Sequence, residues 1–159
     1  MLEDVPMIVP IVLALFVFFG ALGWATSAVN RTNSEVDMSL ALIRVADAFA
    51  QWGVLTDDTW KTSCEAVTTK IQDVGFTVCL TSPEQVGNVL NSIKNDIKSG
   101  NQICGGMTYS CASAWSQSHP PRRGAPLLVR YFPVVFQTST DTSVRNDVNF
   151  MVVVVWPRE

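Results

Sequence analysis

Histidine is almost missing from this chain: His119 is its only one. Without a second imidazole, a G-x-S-x-G segment, a glycine-rich phosphate cradle or an evident pair of facing acids, the residues offer no nucleophile with its base. The chain is therefore expected not to be an enzyme. Metal-ligand spacing is missing too. The four cysteines do not fall in C-x-x-C pairs, and His119 sits beside Pro120 and Pro121 in a loop, so no metal and no other cofactor is expected. Positive charge is scarce, with 11 Lys and Arg against 14 Asp and Glu and a net charge of -3. Arg122-Arg123 is the one adjacent basic pair and reads as part of a solvated loop. Nucleic acid, which selects clustered basic surfaces, is not an expected partner. Internal repeats and low-complexity tracts are absent.

What the chain has is grease at its front. Residues 5–25 read VPMIVPIVLALFVFFGALGWA, and no charge occurs from Val5 to Asn30. About 20 apolar residues in a helix match a bilayer's hydrocarbon core. Each large side chain of such a run costs about 1.5 to 3 kcal/mol to leave in water, so the run belongs in lipid or against other protein. Asp57-Asp58 has a plainer role, at the start of a helix.

The flanks of the run conflict. Glu3 and Asp4 precede it and the first positive charge is Arg31, which by the positive-inside rule puts the C-terminal part in the cytoplasm. Four cysteines and the acceptor sequon Asn30-Arg31-Thr32 point instead to an oxidising, external compartment. The simplest resolution is that Met1 is not the first translated residue and that a basic leader is cut from in front of it. A secretory signal peptide loses its apolar core on cleavage, whereas here the core stays.

An apolar helix kept behind a near-terminal acid resembles the type IV pilin superfamily, and its archaeal members in particular. The resemblance covers residues 1–52. It implies a membrane-inserted precursor, a helix that forms the core of an extracellular filament on the cell surface, and a pilus assembly machinery as partner. It also implies that Glu3 or Asp4 meets a neighbouring subunit's terminal amine. Pro10 should kink the helix or free a carbonyl. Gly20, Ala21, Gly23, Ala25 and Ala28 permit close approach of helices. Together with Ala14, Phe18 and Trp24, these make Pro10, Ala14, Phe18, Gly20, Ala21, Gly23 and Trp24 the candidate packing residues of a filament core. An ordinary single-span anchor is the plain alternative.

Past Ala25 the period stays helical. Val29, Val36, Leu40, Ile43, Ala46 and Ala50 recur at spacings of three, four or seven, widened by Leu42, Val45, Phe49 and Trp52. One helix is expected to reach Trp52 and stop at Gly53, its second half lying on its own head. The polar collar Thr26–Ser34 is a place where it could melt or stretch, and Asn30 there is a possible N-glycosylation site.

The rest, 53–159, reads as a small extracellular head. Trp60, Cys64, Val67, Ile71 and Val74 mark a helix stopped by Gly75, and residues 76–80 alternate as a strand. Ser82-Pro83-Glu84-Gln85 has the form of a capping box for a helix from Pro83 to about Lys98. Gly105-Gly106 suggests a hairpin between residues 103–104 and 107–111. Residues 127–138 and 147–156 read as an antiparallel pair across a polar turn at 139–146. The unbroken apolar run 152–156 should be the central strand, and Pro133 asks for an edge or a bulge. The fold class is α+β: a long N-terminal apolar helix as stalk, then a small globular head with helices packed on an antiparallel β-sheet. If the chain is an anchored monomer instead of a filament subunit, its head is expected to be soluble when cut off near Gly53.

Four cysteines allow three pairings. A strand returning along the helix that carries Cys64 brings Cys79 back towards it, which favours Cys64 with Cys79 and Cys104 with Cys111. Two functions are carried forward. The first is a homo-oligomeric pilin, a structural filament subunit for adhesion, surface attachment or motility. The second is a monomeric, membrane-anchored extracytoplasmic domain that binds a ligand or serves as a machine component.

Overall fold

A computed structural model of the chain describes residues 5–140 and 143–158. In order they form helix α1 (Val5–Ala50), strand β1 (Val54–Leu55), α2 (Asp57–Lys70) and β2 (Val74–Thr81). A 3₁₀ turn (Pro83–Gln85) leads into α3 (Val86–Ser99), β3 (Ser110–Ala112), α4 (Ala114–Ser118), β4 (Leu128–Thr140) and β5 (Ser143–Pro157). The fold is α+β, a long apolar N-terminal helix followed by a five-stranded sheet with helices. The chain divides into two units, Met1–Val36 and Asp37–Glu159.

In the second unit the strand order is β1-β4-β5-β2-β3. The last strand is central, and Met151–Trp156 are buried on both faces, as their unbroken apolar run requires. Pairing is antiparallel except between β1 and β4, which run parallel over Val54↔Val135 and Leu55↔Phe136. Pro133 sits where β4 is uncovered, since two-residue β1 flanks it only at Val135 and Phe136. Beyond the sequence reading, β4 and β5 continue through the polar residues to Thr140 and from Ser143.

Alternation along the strands sorts the core into two layers. Val74, Phe76 and Val78 join Met151, Val153 and Val155 under α1 and α2. Cys79, Val152, Val154 and Trp156 face the other way, against Val89 and Ile93 of α3. The C-terminal turns of α1 belong to the first layer: Met38, Ala41, Leu42, Val45 and Phe49 are all buried. The helix ends at Ala50, close to the expected 52, but by packing the head unit begins at Asp37. The Trp52 indole donates to Ser63 Oγ at 3.0 Å, and Ser63 Oγ donates to the Ala48 carbonyl at 3.0 Å, tying the end of α1 to α2.

The two layers overturn the expected cysteine pairing. The bridges are Cys64–Cys111 and Cys79–Cys104. Cys111 stands opposite Val78 and shares its face, whereas Cys79, one residue on, points through the sheet. Cys64 on α2 therefore reaches Cys111, and the sheet itself separates it from Cys79.

Local signals are corrected elsewhere as well. α2 stops at Lys70, because Val74 and Gly75 pair with Pro157 and Trp156 of β5 instead of extending the helix. Its start carries the capping box, made by Thr56 and Thr59: the Thr59 N–H donates to Thr56 Oγ1 at 3.2 Å and the Thr56 N–H to Thr59 Oγ1 at 2.7 Å. At Ser82 no side-chain cap forms. Pro83–Gln85 takes a 3₁₀ turn in which the Gln85 N–H donates to the Ser82 carbonyl. No hairpin forms at Gly105-Gly106: residues 103–106 are turns, and only Ser110–Ala112 joins the sheet, beside β2.

Candidate functional site

Most of the large apolar side chains left exposed among the described residues lie on α1. Every residue from Val12 to Asn33 is exposed. Phe16, Val17, Phe18 and Phe19 are 73%, 72%, 57% and 64% exposed, and four consecutive residues cover a full turn, so this part of the helix is apolar all round. It is long and apolar enough to cross a membrane.

The candidate packing residues do not share a face. Ala14, Phe18, Ala21, Ala25 and Ala28 recur at spacings of four and three along one side, and the side chain of Pro10 lies outside the described ones. Gly20 and Gly23 point to the opposite side, and Trp24, 76% exposed, lies between. A Cβ at Gly20 or Gly23 would meet nothing within 4 Å. An interior helical glycine costs about 1 kcal/mol against alanine, and no contact among the described residues requires either one. Glu3 and Asp4 lie outside the described residues.

The collar is continuous helix. Thr26 Oγ1 donates to the Leu22 carbonyl at 2.6 Å, Thr32 Oγ1 to Ala28 at 3.0 Å and Ser34 Oγ to Arg31 at 2.9 Å, so these hydroxyls are satisfied within the helix. The Arg31–Glu35 pair, at 3.4 Å and well exposed, contributes little. Asn30 is exposed on the same helix.

Further along, the buried stripe is not the one that periodicity marks first. Met38, Leu42, Val45 and Phe49 face the sheet. Leu40 and Ile43 fall on the opposite side of the helix and remain 47% and 61% exposed, and in the first unit Val29 and Val36 are 58% and 50% exposed. The correction arises because both sets have helical spacing, and the sheet covers only one. The other is a second apolar stripe.

On the head, Tyr109 links distant segments. Its ring lies 5.9 Å from Trp60 and 4.5 Å from Phe136, and its hydroxyl donates to Asp57. That hydrogen bond, then burial, then the charge of Asp57 push the phenol up from 10.0 to about 12. Two open depressions of about 490 and 420 Å³ flank Tyr109, the first also lined by Asp57 and Lys61, the second by Gln85 and Asn149. No local signal marks Tyr109, since its partners are remote in sequence. His119 stacks on Trp115 at 4.9 Å in a recess of about 50 Å³ with Pro120 and Pro121. All four cysteines are bridged. Among the described residues no group of three or more His, Cys, Asp or Glu could hold a metal ion.

Comparison with models of known families, with curated proteins and with solved structures found no match. Function rests on the helix surface and the head it carries.

Proposed function

We propose that this chain is a structural subunit of an extracellular, type IV pilus-like filament: a pilin-like protein held in the membrane by α1 before assembly and polymerised through it afterwards. The observation that carries the reading is the second apolar stripe. A bilayer takes about 20 helical residues, which Val5–Trp24 already supply. Val29, Val36, Leu40 and Ile43 lie beyond that length and away from the buried stripe, so an isolated anchor leaves them in water. Neighbouring copies of the same helix would bury them. Candidate packing residues on several sides of α1 suit a helix surrounded by others, and glycines with no neighbour of their own suit close approach between helices. Adhesion, surface attachment or motility is the role such a filament serves. Asn30 is the proposed attachment point for a glycan.

A monomeric anchored domain accounts for the first 20 residues of the run and for a bridged head, but gives the second stripe nothing to do. Electron microscopy of cells that make the protein separates the two readings. Helical fibres are expected from the wild type, and their loss from Ile43→Asp and from Gly20→Leu, with membrane insertion and both head disulfides retained. Dispersed single molecules in detergent, with no polymer on the cells, would remove the filament reading.

A further inference from the structure

The hairpin of β4 and β5 outruns the sheet that carries it. β2 ends at Thr81, opposite Phe150, so along Val144–Val148 no described strand flanks β5 on the side away from β4. In an antiparallel ladder alternate residues turn both N–H and C=O to the same side, so this edge presents backbone donors and acceptors outward. Val144 and Val148 are 63% and 59% exposed. Proteins usually blunt such an edge with Lys, Pro or a bulge. Here none of the five residues is Lys or Pro, the two charges, Arg145 and Asp147, are opposite in sign and pair with each other, and the ladder with β4 runs unbroken from Ser139↔Val144 to Val135↔Val148.

The five residues, Val144-Arg145-Asn146-Asp147-Val148, are also their own complement. With two copies set antiparallel and Asn146 opposite Asn146, Val144 of each meets Val148 of the other and Arg145 of each meets Asp147 of the other. Side chains alternate across a strand, so the valine contacts and the asparagine pair fall on one face and both ion pairs on the other. Within one chain Arg145 Nε already lies 2.8 Å from Asp147 Oδ1, with both side chains accessible, at 78% and 41%. Across the axis the four charges then alternate in sign. Shifting the register by two residues sets Arg145 against Arg145, or Asp147 against Asp147, and like-charge repulsion disfavours both.

We infer that Val144–Val148 is a homotypic docking site: the open edge of β5 adds to the same edge of a second copy of this chain across a two-fold axis at Asn146. The inference needs only the head and holds whether or not α1 polymerises. Subunits of one polar filament are related by screw operations that contain no such two-fold. On the filament reading above, this contact therefore joins separate filaments side by side.

The test uses full-length protein in detergent. Asn146→Cys, oxidised mildly and separated without reductant, should give a dimer joined at position 146, well above the background set by Ser92→Cys on exposed α3. Val144→Cys and Val148→Cys should each stay monomeric alone and cross-link 144 to 148 when mixed. In the Asn146→Cys background, Arg145→Asp and Asp147→Arg should each lose the dimer, and mixing the two should restore it. Peptide mapping of the native bridges checks folding throughout. Cross-linking at 146 no greater than at 92, or Val144→Cys linking to itself as readily as to Val148→Cys, would overturn the inference.

Discussion

The indole of Trp156 packs against Gly75, its cross-strand partner in the β2–β5 ladder. A Cβ built at Gly75 would sit 2.3 Å from Trp156 Nε1 and 2.8 Å from Trp115 Cζ3. This glycine is used for its size, since its φ is not among the positive ones. Gly75→Ala is expected to destabilise the head by about 1 to 3 kcal/mol, through overpacking against two indoles. Gly87→Ala in α3, where a Cβ meets nothing within 4 Å, should instead stabilise by about 0.5 to 1 kcal/mol. Chemical denaturation of the two variants under matched conditions gives both signs.

The bridges make a separate prediction. Cys64–Cys111 spans 47 residues and Cys79–Cys104 spans 25. Replacing Cys64 and Cys111 together by Ala should cost roughly 2 to 4 kcal/mol, chiefly by freeing the unfolded chain. Peptide mapping without reductant should recover 64 with 111 and 79 with 104. A 64-to-79 peptide would contradict the two-layer core.

Alkaline pH should expose Tyr109. Its phenol ionises at about 12 in the folded head against 10.0 ordinarily, because Asp57 and burial favour the neutral form. Below pH 10 both states keep the proton and the contribution is complete. As pH rises from 10 towards 12 the unfolded chain gives up the proton first, so stability falls across that window. Tyr109→Phe should flatten this part of the curve, leaving the effect of Tyr131, whose phenol burial also raises. Unfolding midpoints measured across the window read the difference.

The place at which the head can be cut is equally specific. A chain starting at Asp37 keeps Met38, Leu42, Val45 and Phe49 in the first core layer and should unfold cooperatively. One starting at Gly53 loses them. Each large buried side chain is worth about 2 to 5 kcal/mol, and their sum reaches the whole stability of a domain of this size. That fragment is expected to lack a cooperative transition by calorimetry, contrary to the cut near Gly53 that the helix boundary suggests.

Much was legible in the residues alone. The uncharged run from Val5 to Asn30 reads as a long apolar helix, and Val152–Trp156, β-branched but for its last residue, reads as a strand covered on both sides. The α+β class and the end of α1 near residue 50 follow from the same local rules. Tertiary structure decided what periodicity leaves degenerate. α1 carries two apolar stripes, both of helical spacing, and only the position of the sheet makes Met38, Leu42, Val45 and Phe49 the buried one. The cysteine pairing turned on the pleat: a single residue's difference between Val78 and Cys79 sends their side chains to opposite layers, which spacing along the chain cannot register. Tyr109 gained its role from Asp57 and Phe136, residues that meet it only because β3 and β4 belong to one sheet with α2 packed on it. Local sequence fixes how a segment repeats; which side of that repeat is covered depends on the segments folded against it.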